Sequence, residues 1–482
     1  MGIDVGSSGC KISVVDEMGK KLAFASRGYS FIYKNRTCEL DAEVVWESVL
    51  DALREMSEKV DLSELETICT TSFGEMFVLL DENRNILRKS ISYEDRRGSA
   101  EISDFSEDIY GITGATLDVM YALPKLMWIK NNEPDTYKKA KYLCMFADFI
   151  LFKLGAEHHT DHSLAARTLM LDIKNKCWSD EILNRAGIKK DILGRLVAPG
   201  TPVGKIDATL ARELKISENA ILLAGAHDQV CAALGAGVIR EGLALDGMGS
   251  NECIVPVFES LAVNEGMKKS NLVCVPYVLP GMYVTYAFNR TSGSLFKWYR
   301  ELLAVGEYDE LINEMPDSPT EILLLPHFAG AATPYMDDDA VGAMIGLKLS
   351  TTRGELTKGI IEGLNFEILV NLNCLKEAGF EMKELFVAGG MSKSNAVLQI
   401  KADILGIPIK RLANSETGTV GAAILGSVAS GIFSSVEDAV EKLVSVSEVF
   451  YPDDKKHEIY IKRFEKYERM YKCIKKIERD SK

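Results

Sequence analysis

Apolar positions along the chain follow two periods, one typical of strands and one typical of helices. Short apolar runs at Thr67–Ser72, Ile221–Gly225 and Leu385–Ala388 predict buried strands. Apolar residues that recur every three or four positions predict amphipathic helices at Ala42–Lys59, Leu123–Asn131, Glu355–Ala378 and Asn395–Leu405. Strands that end in glycine and lead into helices indicate an α/β fold, in which ligands bind beyond the strand ends.

The pattern at the start of the chain returns, loosely, near its middle. Gly2–Val15 and Leu245–Val257 share an apolar start, an acid, a turn of glycine and small polar residues, and a second strand. Aligning Gly6 with Gly249 gives an offset of 243 residues, about half of the 482 in the chain. We therefore predict two related halves, 1–241 and 242–482, each opening with a hairpin. The hinge between them is expected near residues 238–244.

The composition argues against several classes of protein. The chain carries 56 Lys and Arg against 70 Asp and Glu, and this net charge of −14 argues against a nucleic-acid-binding protein. No apolar stretch approaches the roughly 18 to 20 residues of a membrane span, and Asp4 stands where a signal peptide would be apolar. The 10 cysteines form no Cys-x-x-Cys pair. We expect a cytoplasmic protein without nucleic-acid or membrane partners, and a homodimer is compatible with the sequence.

The first turn has the residues needed to bind a polyphosphate. Residues 4–9, Asp-Val-Gly-Ser-Ser-Gly, offer backbone N–H donors and two hydroxyl groups, and Lys11 follows shortly after. Asp4, at the strand end, is placed to hold Mg²⁺ directly or through water. An ordinary hairpin turn is the alternative interpretation.

Two later glycine pairs extend this pattern. Gly249-Ser250 would contact phosphates from the opposite half, and Gly389-Gly390 ends a strand against which a flat base or ribose can lie. A plain hairpin and a strand-to-helix connection are the alternatives. The chain contains no P-loop, no G-x-G-x-x-G dinucleotide motif and no G-x-S-x-G nucleophile elbow.

The order and spacing of these blocks resemble the FGGY family of carbohydrate kinases, members of the actin-like ATPase superfamily. The similar blocks span nearly the whole chain: the opening turn, 95–97, 112–172, 225–237, 249–250, 333–334 and 389–411. The resemblance implies two ribonuclease-H-like domains with Mg·ATP bound in the cleft between them. It places the nucleotide at Gly6, Ser7, Ser8, Lys11, Gly249, Ser250, Gly293, Gly389, Gly390 and Asn395.

One carboxylate is placed to activate an acceptor hydroxyl. An apolar strand and a small turn lead to Asp228-Gln229, which opens a helix rich in Ala and Gly. A positioned carboxylate that removes a hydroxyl proton contributes about 10²–10⁴ in rate. A helix N-cap is the alternative reading of Asp228. By resemblance, Asp228 is the catalytic base and Gln229 binds a hydroxyl.

The resemblance also implies further acceptor-binding residues: Glu75, Met76, Asp95 and Arg97. The chain has Phe77 where xylulokinases have His, and Gly74 where glycerol kinases have Arg. These departures leave the acceptor open: the overall pattern of blocks favours xylulose, whereas Glu75 and the Asp228-Gln229 pair favour a polyol such as glycerol. Xylulose is the leading acceptor, with glycerol, ribulose, fuculose or another small polyol or ketose as alternatives. The alternative from another functional class is a non-catalytic ATPase of the actin-like superfamily.

A histidine cluster at 158–162, His-His-Thr-Asp-His, has residue types that bind metals. Adjacent histidines point in different directions on a regular backbone, and no carboxylate follows at helical spacing. We therefore interpret the segment as a turn that faces solvent or contacts the sugar.

Overall fold

The computed structural model describes residues 1–103, 105 and 109–480, and its strands form one main sheet in each half. The first sheet has the order β5-β6-β4-β1-β2-β3. Its strands are β1 (Gly2–Gly6), β2 (Gly9–Val15), β3 (Lys21–Gly28), β4 (Thr67–Ser72), β5 (Pro202–Lys205) and β6 (Ile221–His227). Strands β1, β4 and β6 are parallel, whereas β2, β3 and β5 run antiparallel to their neighbours.

The second sheet has the order β9-β10-β8-β7-β12-β13-β14, and β11 pairs with β8. Its strands are β7 (Leu243–Met248), β8 (Glu252–Phe258), β9 (Val275–Pro276), β10 (Tyr283–Val284), β11 (Ala287–Asn289), β12 (Glu384–Ala388), β13 (Ile409–Leu412) and β14 (Val446–Phe450). Here β7, β12 and β13 are parallel, with antiparallel β8 and β14 on either side. The first sheet has the same succession of directions. Both sheets thus open with a hairpin, as the repeated sequence pattern predicts, and the bounds 1–241 and 242–482 stay a prediction.

The predicted helices are present, with small shifts at their ends. The main helices are α1 (Ala42–Lys59), α2 (Ala122–Asn132), α3 (Phe146–Leu154), α4 (Asp228–Gly235), α5 (Gly293–Leu302), α6 (Arg353–Glu377), α7 (Asn395–Leu405), α8 (Thr417–Ala429), α9 (Asp454–Tyr467) and α10 (Met470–Asp480). α1 and α7 match their predicted bounds. α6 begins two residues before the predicted Glu355, because Thr352 and Glu355 form a reciprocal capping box.

Shorter elements connect these. The short strands are Ile32–Lys34, Thr37–Leu40, Phe77–Leu80, Ser90–Ile91, Tyr142–Met145, His159–Asp161, Leu171–Asp172, Cys177–Trp178, Arg195–Val197, Leu323–Leu325 and Ala343–Ile345. The short helices are Ser99–Ser103, Tyr110–Thr113, Pro134–Lys139, His162–Ala166, Asp180–Ala186, Ala208–Glu213, Glu265–Lys269, Tyr308–Asn313 and Val436–Leu443. Among the described residues, no helix combines the length and apolarity needed to cross a membrane.

Helices α4 and α8 pack against each other where the two halves meet. Their closeness depends on glycine, because a Cβ at Gly235 would collide with the carbonyl of Thr417, and one at Gly421 with the carbonyl of Cys231. Helix α8 also packs on β1 and β4 of the first sheet. The N-terminal ends of both helices, at Asp228 and Thr417, therefore lie at one cavity between the sheets.

Candidate active site

A cavity of about 720 Å³ lies between the two halves, at the ends of the central strands. Its wall includes seven of the residues that the sequence predicts for the site: Ser7, Lys11, Glu75, Asp228, Gln229, Gly249 and Gly389. Three tyrosines and one arginine that the sequence did not single out also line this cavity: Tyr93, Tyr121, Tyr286 and Arg167.

Asp228 is the first residue of α4 and directly follows β6. Its Oδ1 accepts a hydrogen bond from the Gln229 backbone N–H at 2.6 Å and lies 3.4 Å from His227 Nε2. About a quarter of the side chain (27%) is exposed, and it lines the cavity. Protein surrounds the rest, and this burial raises the pKa of Asp228 to about 8, with the charges of Asp4 and Glu75 adding to the effect. The carboxylate thus has the basicity of a proton acceptor near neutral pH.

His227 is held neutral beside this carboxylate. Burial, and then the positive charge of Arg167, lower its pKa well below the ordinary value. Its backbone N–H donates to Ser163 Oγ at 2.8 Å, which fixes the end of β6. A neutral imidazole adds no charge that would hold Asp228 permanently ionised, so the carboxylate remains able to take up a proton.

Glu75 forms a buried ion pair with Arg167. Arg167 Nε donates to Glu75 Oε1 at 2.5 Å, and Arg167 Nη2 contacts the same oxygen. Glu75 has a φ of 66°, in the left-handed region that a non-glycine residue rarely adopts. The guanidinium also lies against the rings of Tyr121 and Tyr286, with 4.9 and 5.3 Å between its carbon and the ring centres. These contacts fix Glu75 on the cavity wall.

A second cavity of about 910 Å³ adjoins the first, and Gly249 lines both. Its wall contains Ser250, Gly293 and Gly390, as the sequence predicts. Aromatic side chains suited to stacking on a flat base also line it: Phe296, Trp298 and Tyr308. The Gly293 N–H donates to the Gly249 carbonyl at 3.0 Å, so the start of α5 braces this turn. The two cavities together suit a small polar molecule beside an elongated one with a flat end.

Asp4 lies beside the start of α8. A Cβ at Gly418 would lie 3.0 Å from Asp4 Oδ2, which shows how close the helix comes. Asp4 Oδ1 is buried without a hydrogen-bond partner among the described residues, and burial raises the pKa of Asp4 to about 6. An unpaired carboxylate oxygen fits a hard cation such as Mg²⁺. Within the described ranges no three acidic, His or Cys side chains form a metal cage, and Mg²⁺ commonly needs only one or two carboxylates with phosphates.

The corresponding acid of the second half is neutralised instead. Lys401, fully buried in α7, contacts Asp246 Oδ2 at 2.5 Å and Glu252 Oε1 at 2.6 Å. Ser292 Oγ donates to the other oxygen of Glu252 at 2.6 Å. This network links β7 and β8, on either side of Gly249, to the N-cap of α5.

Several predicted site residues do not line either cavity. Met76 is fully buried in the apolar core of the first half. The Asp95 carboxylate is buried, accepting hydrogen bonds from Arg97 and from the Cys38 backbone N–H. Arg97 also pairs with Glu39 at 2.8 Å.

Three residues from the nucleotide-binding prediction also lie off the cavity walls. Asn395 Oδ1 accepts a hydrogen bond from Arg411 at 2.8 Å. Gly6 and Ser8 flank Ser7 but do not line the cavity themselves. Correct placement of a loop thus leaves open which of its side chains reaches the ligand.

The histidine cluster is a buried structural segment, so its interpretation as a solvent-facing or sugar-contacting turn is wrong. His159 lies in the strand His159–Asp161 and is 1% exposed. Asp161 caps the helix His162–Ala166 and accepts a hydrogen bond from Ser163 Oγ at 2.5 Å. Because Ser163 also binds the His227 backbone, the segment supports the strand that ends at Asp228.

Sequence reasoning missed Arg167, Glu252 and Lys401. Arg167 lies within the 112–172 block of resemblance, and Glu252 directly follows the second phosphate turn. For both residues, their place next to a recognised motif could have indicated a role in the site. Lys401 lies within an apolar helical pattern, which does not indicate a buried charge.

Comparison with known proteins identifies the family. The FGGY family of carbohydrate kinases matches through its N-terminal domain over residues 1–235 and its C-terminal domain over residues 261–430. The chain belongs to this family. A xylulose kinase from Staphylococcus epidermidis is 29% identical over 100% of the chain and 98% of the relative. A glycerol kinase from Borreliella afzelii is also 29% identical, over 95% of the chain and 94% of the relative.

Solved structures agree on the fold. The ligand-bound xylulose kinase from Lactobacillus acidophilus superposes with a TM-score of 0.90 at 23% identity, covering 98% of the chain and 97% of that structure. The predicted α/β fold with two ribonuclease-H-like domains is confirmed. As an FGGY kinase, the protein is a phosphotransferase with an alcohol group as acceptor, in a family that uses ATP.

Proposed function

We propose that the protein transfers the γ-phosphate of Mg·ATP to a hydroxyl of a small ketose or polyol, and that Asp228 removes the proton of that hydroxyl. The position of Asp228 carries the proposal. This carboxylate lines a cavity that adjoins, through Gly249, a second cavity shaped for a nucleotide. In this assignment, residues 1–241 hold the acceptor and the base, and residues 242–482 hold the nucleoside.

The acceptor binds at the end of the first cavity that contains Glu75 and Gln229. Their carboxylate and amide groups bind its hydroxyls and turn one of them toward Asp228. Phosphoryl transfer depends mainly on alignment and on stabilising the charge of the transferred group. Three tyrosines narrow the cavity, which favours an acceptor of a few carbons.

The phosphates bind between the two turns. Ser7 and Lys11 contact them from the first half, and Gly249, Ser250 and Gly293 from the second. Backbone N–H groups at such turns suit phosphate oxygens. Mg²⁺, held by Asp4 directly or through water, would neutralise charge on the phosphates. The nucleoside then lies along Gly389 and Gly390, beside the aromatic residues of the second cavity.

Xylulose is the first acceptor to test. The Staphylococcus epidermidis relative is a xylulose kinase and matches the whole chain, whereas the glycerol kinase matches slightly less of it. Glycerol, ribulose and fuculose are the alternatives. Because the reaction uses ATP, we place the enzyme in the cytoplasm.

The test is ADP release by the purified protein, measured with each member of a panel of pentuloses, hexuloses and small polyols. We expect one acceptor to stimulate ADP release and to appear as its phosphate ester by mass spectrometry. ATP consumption that no sugar or polyol stimulates would overturn the proposal. Light scattering on the same preparation distinguishes a homodimer from a monomer.

A further inference from the structure

We infer that Arg167 is a positioning residue for the acceptor: it holds Glu75 so that one carboxylate oxygen is left to bind an acceptor hydroxyl. This inference rests on the proposed function, because it concerns which group the acceptor presents at the Glu75 end of the cavity. The inference adds a requirement on the acceptor: the end of the acceptor that lies beside Glu75 is uncharged and carries a hydroxyl. A carboxylate-bearing sugar acid is rejected there.

Arg167 contacts only one of the two carboxylate oxygens of Glu75. Both Nε and Nη2 of Arg167 contact Glu75 Oε1. Glu75 Oε2 has no hydrogen-bond partner among the described residues, although Glu75 lines the cavity. Since an ionised carboxylate only accepts hydrogen bonds, Oε2 binds a group that donates one, as a hydroxyl does. An acceptor carboxylate at the same point would meet like charge.

Arg167 is held too firmly to act as a mobile surface charge. It is 6% exposed and lies between the rings of Tyr121 and Tyr286. Its Nη1 is buried without a hydrogen-bond partner among the described residues. A buried donor without a partner lowers the stability of the fold. A residue that served only as a structural ion pair would not need to carry this cost.

Gly74 supplies the space that this arrangement requires. A Cβ at residue 74 would lie 2.8 Å from Arg167 Cγ, 3.0 Å from Arg167 Cβ and 2.9 Å from His227 Cδ2. The arginine stem therefore occupies the volume that any larger residue at 74 would fill. Gly74→Ala presses on both the Arg167 stem and the His227 ring, so it disturbs the same contact without removing the guanidinium.

The experiment compares steady-state constants for four variants with the best acceptor of the panel. Arg167→Gln should raise the acceptor KM about tenfold or more, as expected for loss of a charge-assisted hydrogen bond. The KM for ATP should stay within about twofold. Arg167→Lys should recover part of the loss. Gly74→Ala should raise the acceptor KM less than Arg167→Gln does. Gly111→Ala is the control: nothing lies within 4 Å of the new Cβ, and the acceptor KM should be unchanged.

Two results separate this inference from the proposed function. If the wild-type protein phosphorylates no sugar or polyol, the proposed function fails. If the wild type is active but Arg167→Gln and Gly74→Ala both leave the acceptor KM unchanged, or raise the KM for ATP equally, only the role of Arg167 fails.

Arg167→Gln should also raise the acceptor KM little further in a Glu75→Gln background, because Arg167 acts through Glu75. Wild-type kcat/KM for xylonate that equals the value for xylulose would refute the preference for a hydroxyl.

Discussion

The two halves of the molecule share a sheet topology but treat their hairpin acids in opposite ways. Asp4 Oδ1 and Asp246 Oδ1 are both buried without a hydrogen-bond partner among the described residues, but in the first half no cation within those residues pairs with Asp4. In the second half, Asp246 and Glu252 share the ammonium group of Lys401. A duplicated fold can thus leave one copy of an acid without a cation and use the other to tie two neighbouring strands to a buried lysine.

The halves also differ in the contacts made by the polar residue at the start of a helix. Asp228 opens α4 with a free face toward the first cavity, whereas Ser292 caps α5 with its hydroxyl bound to Glu252. The first half therefore leaves Asp4 and Asp228 without a cationic partner among the described residues, whereas the second half pairs its acids with Lys401 and Ser292. Four substitutions or titrations test this contrast.

Asp228→Asn should have the largest effect. Loss of the proton acceptor should lower kcat by about 10²–10⁴, while ATP affinity, to which Asp228 is not assigned, should stay near wild type. Turnover by stopped assay and nucleotide binding by calorimetry give the two values. A kcat within tenfold of wild type would remove Asp228 from the mechanism.

Lys401→Met should mainly destabilise the second half. Removing the cation leaves two buried carboxylates without compensation, and breaking a buried ion pair in this way costs about 3–5 kcal/mol. Chemical denaturation measures the loss. Lys376→Met, which removes an exposed partner of Glu381, is the matched control and should change stability by less than about 1 kcal/mol. Equal effects of the two substitutions would contradict the network described here.

The pH profile should report the ionisation of Asp228. A base works only when deprotonated, so kcat/KM for the acceptor should fall about tenfold for each pH unit below the pKa of about 8. A kcat/KM that stays flat from pH 8 down to pH 6 would contradict the raised pKa.

Asp4→Asn should have the smallest effect of the four. With the unpaired oxygen no longer ionisable, the Mg²⁺ concentration for half-maximal rate should rise by about tenfold, since metal affinity depends on ligand charge. Titrating Mg²⁺ at fixed ATP measures this shift. Asp246→Asn serves as the comparison, because Lys401 already neutralises that acid, and it should leave the Mg²⁺ requirement unchanged.

The sequence predicted the framework of the molecule more fully than the directions of its side chains. Strand β4 and helices α1 and α7 were placed to the residue, because β4 is a run rich in β-branched residues and both helices repeat apolar residues every three or four positions. Asp228 was found because it stands at the junction of a buried strand and a helix, a place that topology alone directs to the cavity.

Side-chain direction required the structure. Met76 follows Glu75 directly, yet the positive φ of Glu75 sends one side chain to the cavity and the other to the core. Asp95 and Arg97 have the residue types of a binding site but pair with each other. Their mutual contact depends on local loop geometry, which periodicity does not describe.

Helix α8 has a consequence for how the protein is made. It lies in the second half of the chain, yet it covers β1 and β4 of the first sheet and inserts against α4. The face of the first sheet that α8 covers therefore stays uncovered on the ribosome until residues 417–429 have been synthesised, although one apolar core of this half is built from residues 1–224 alone. A chain truncated before that point would carry an uncovered sheet, so the two halves should mature together, as one cooperative unit, near the end of translation.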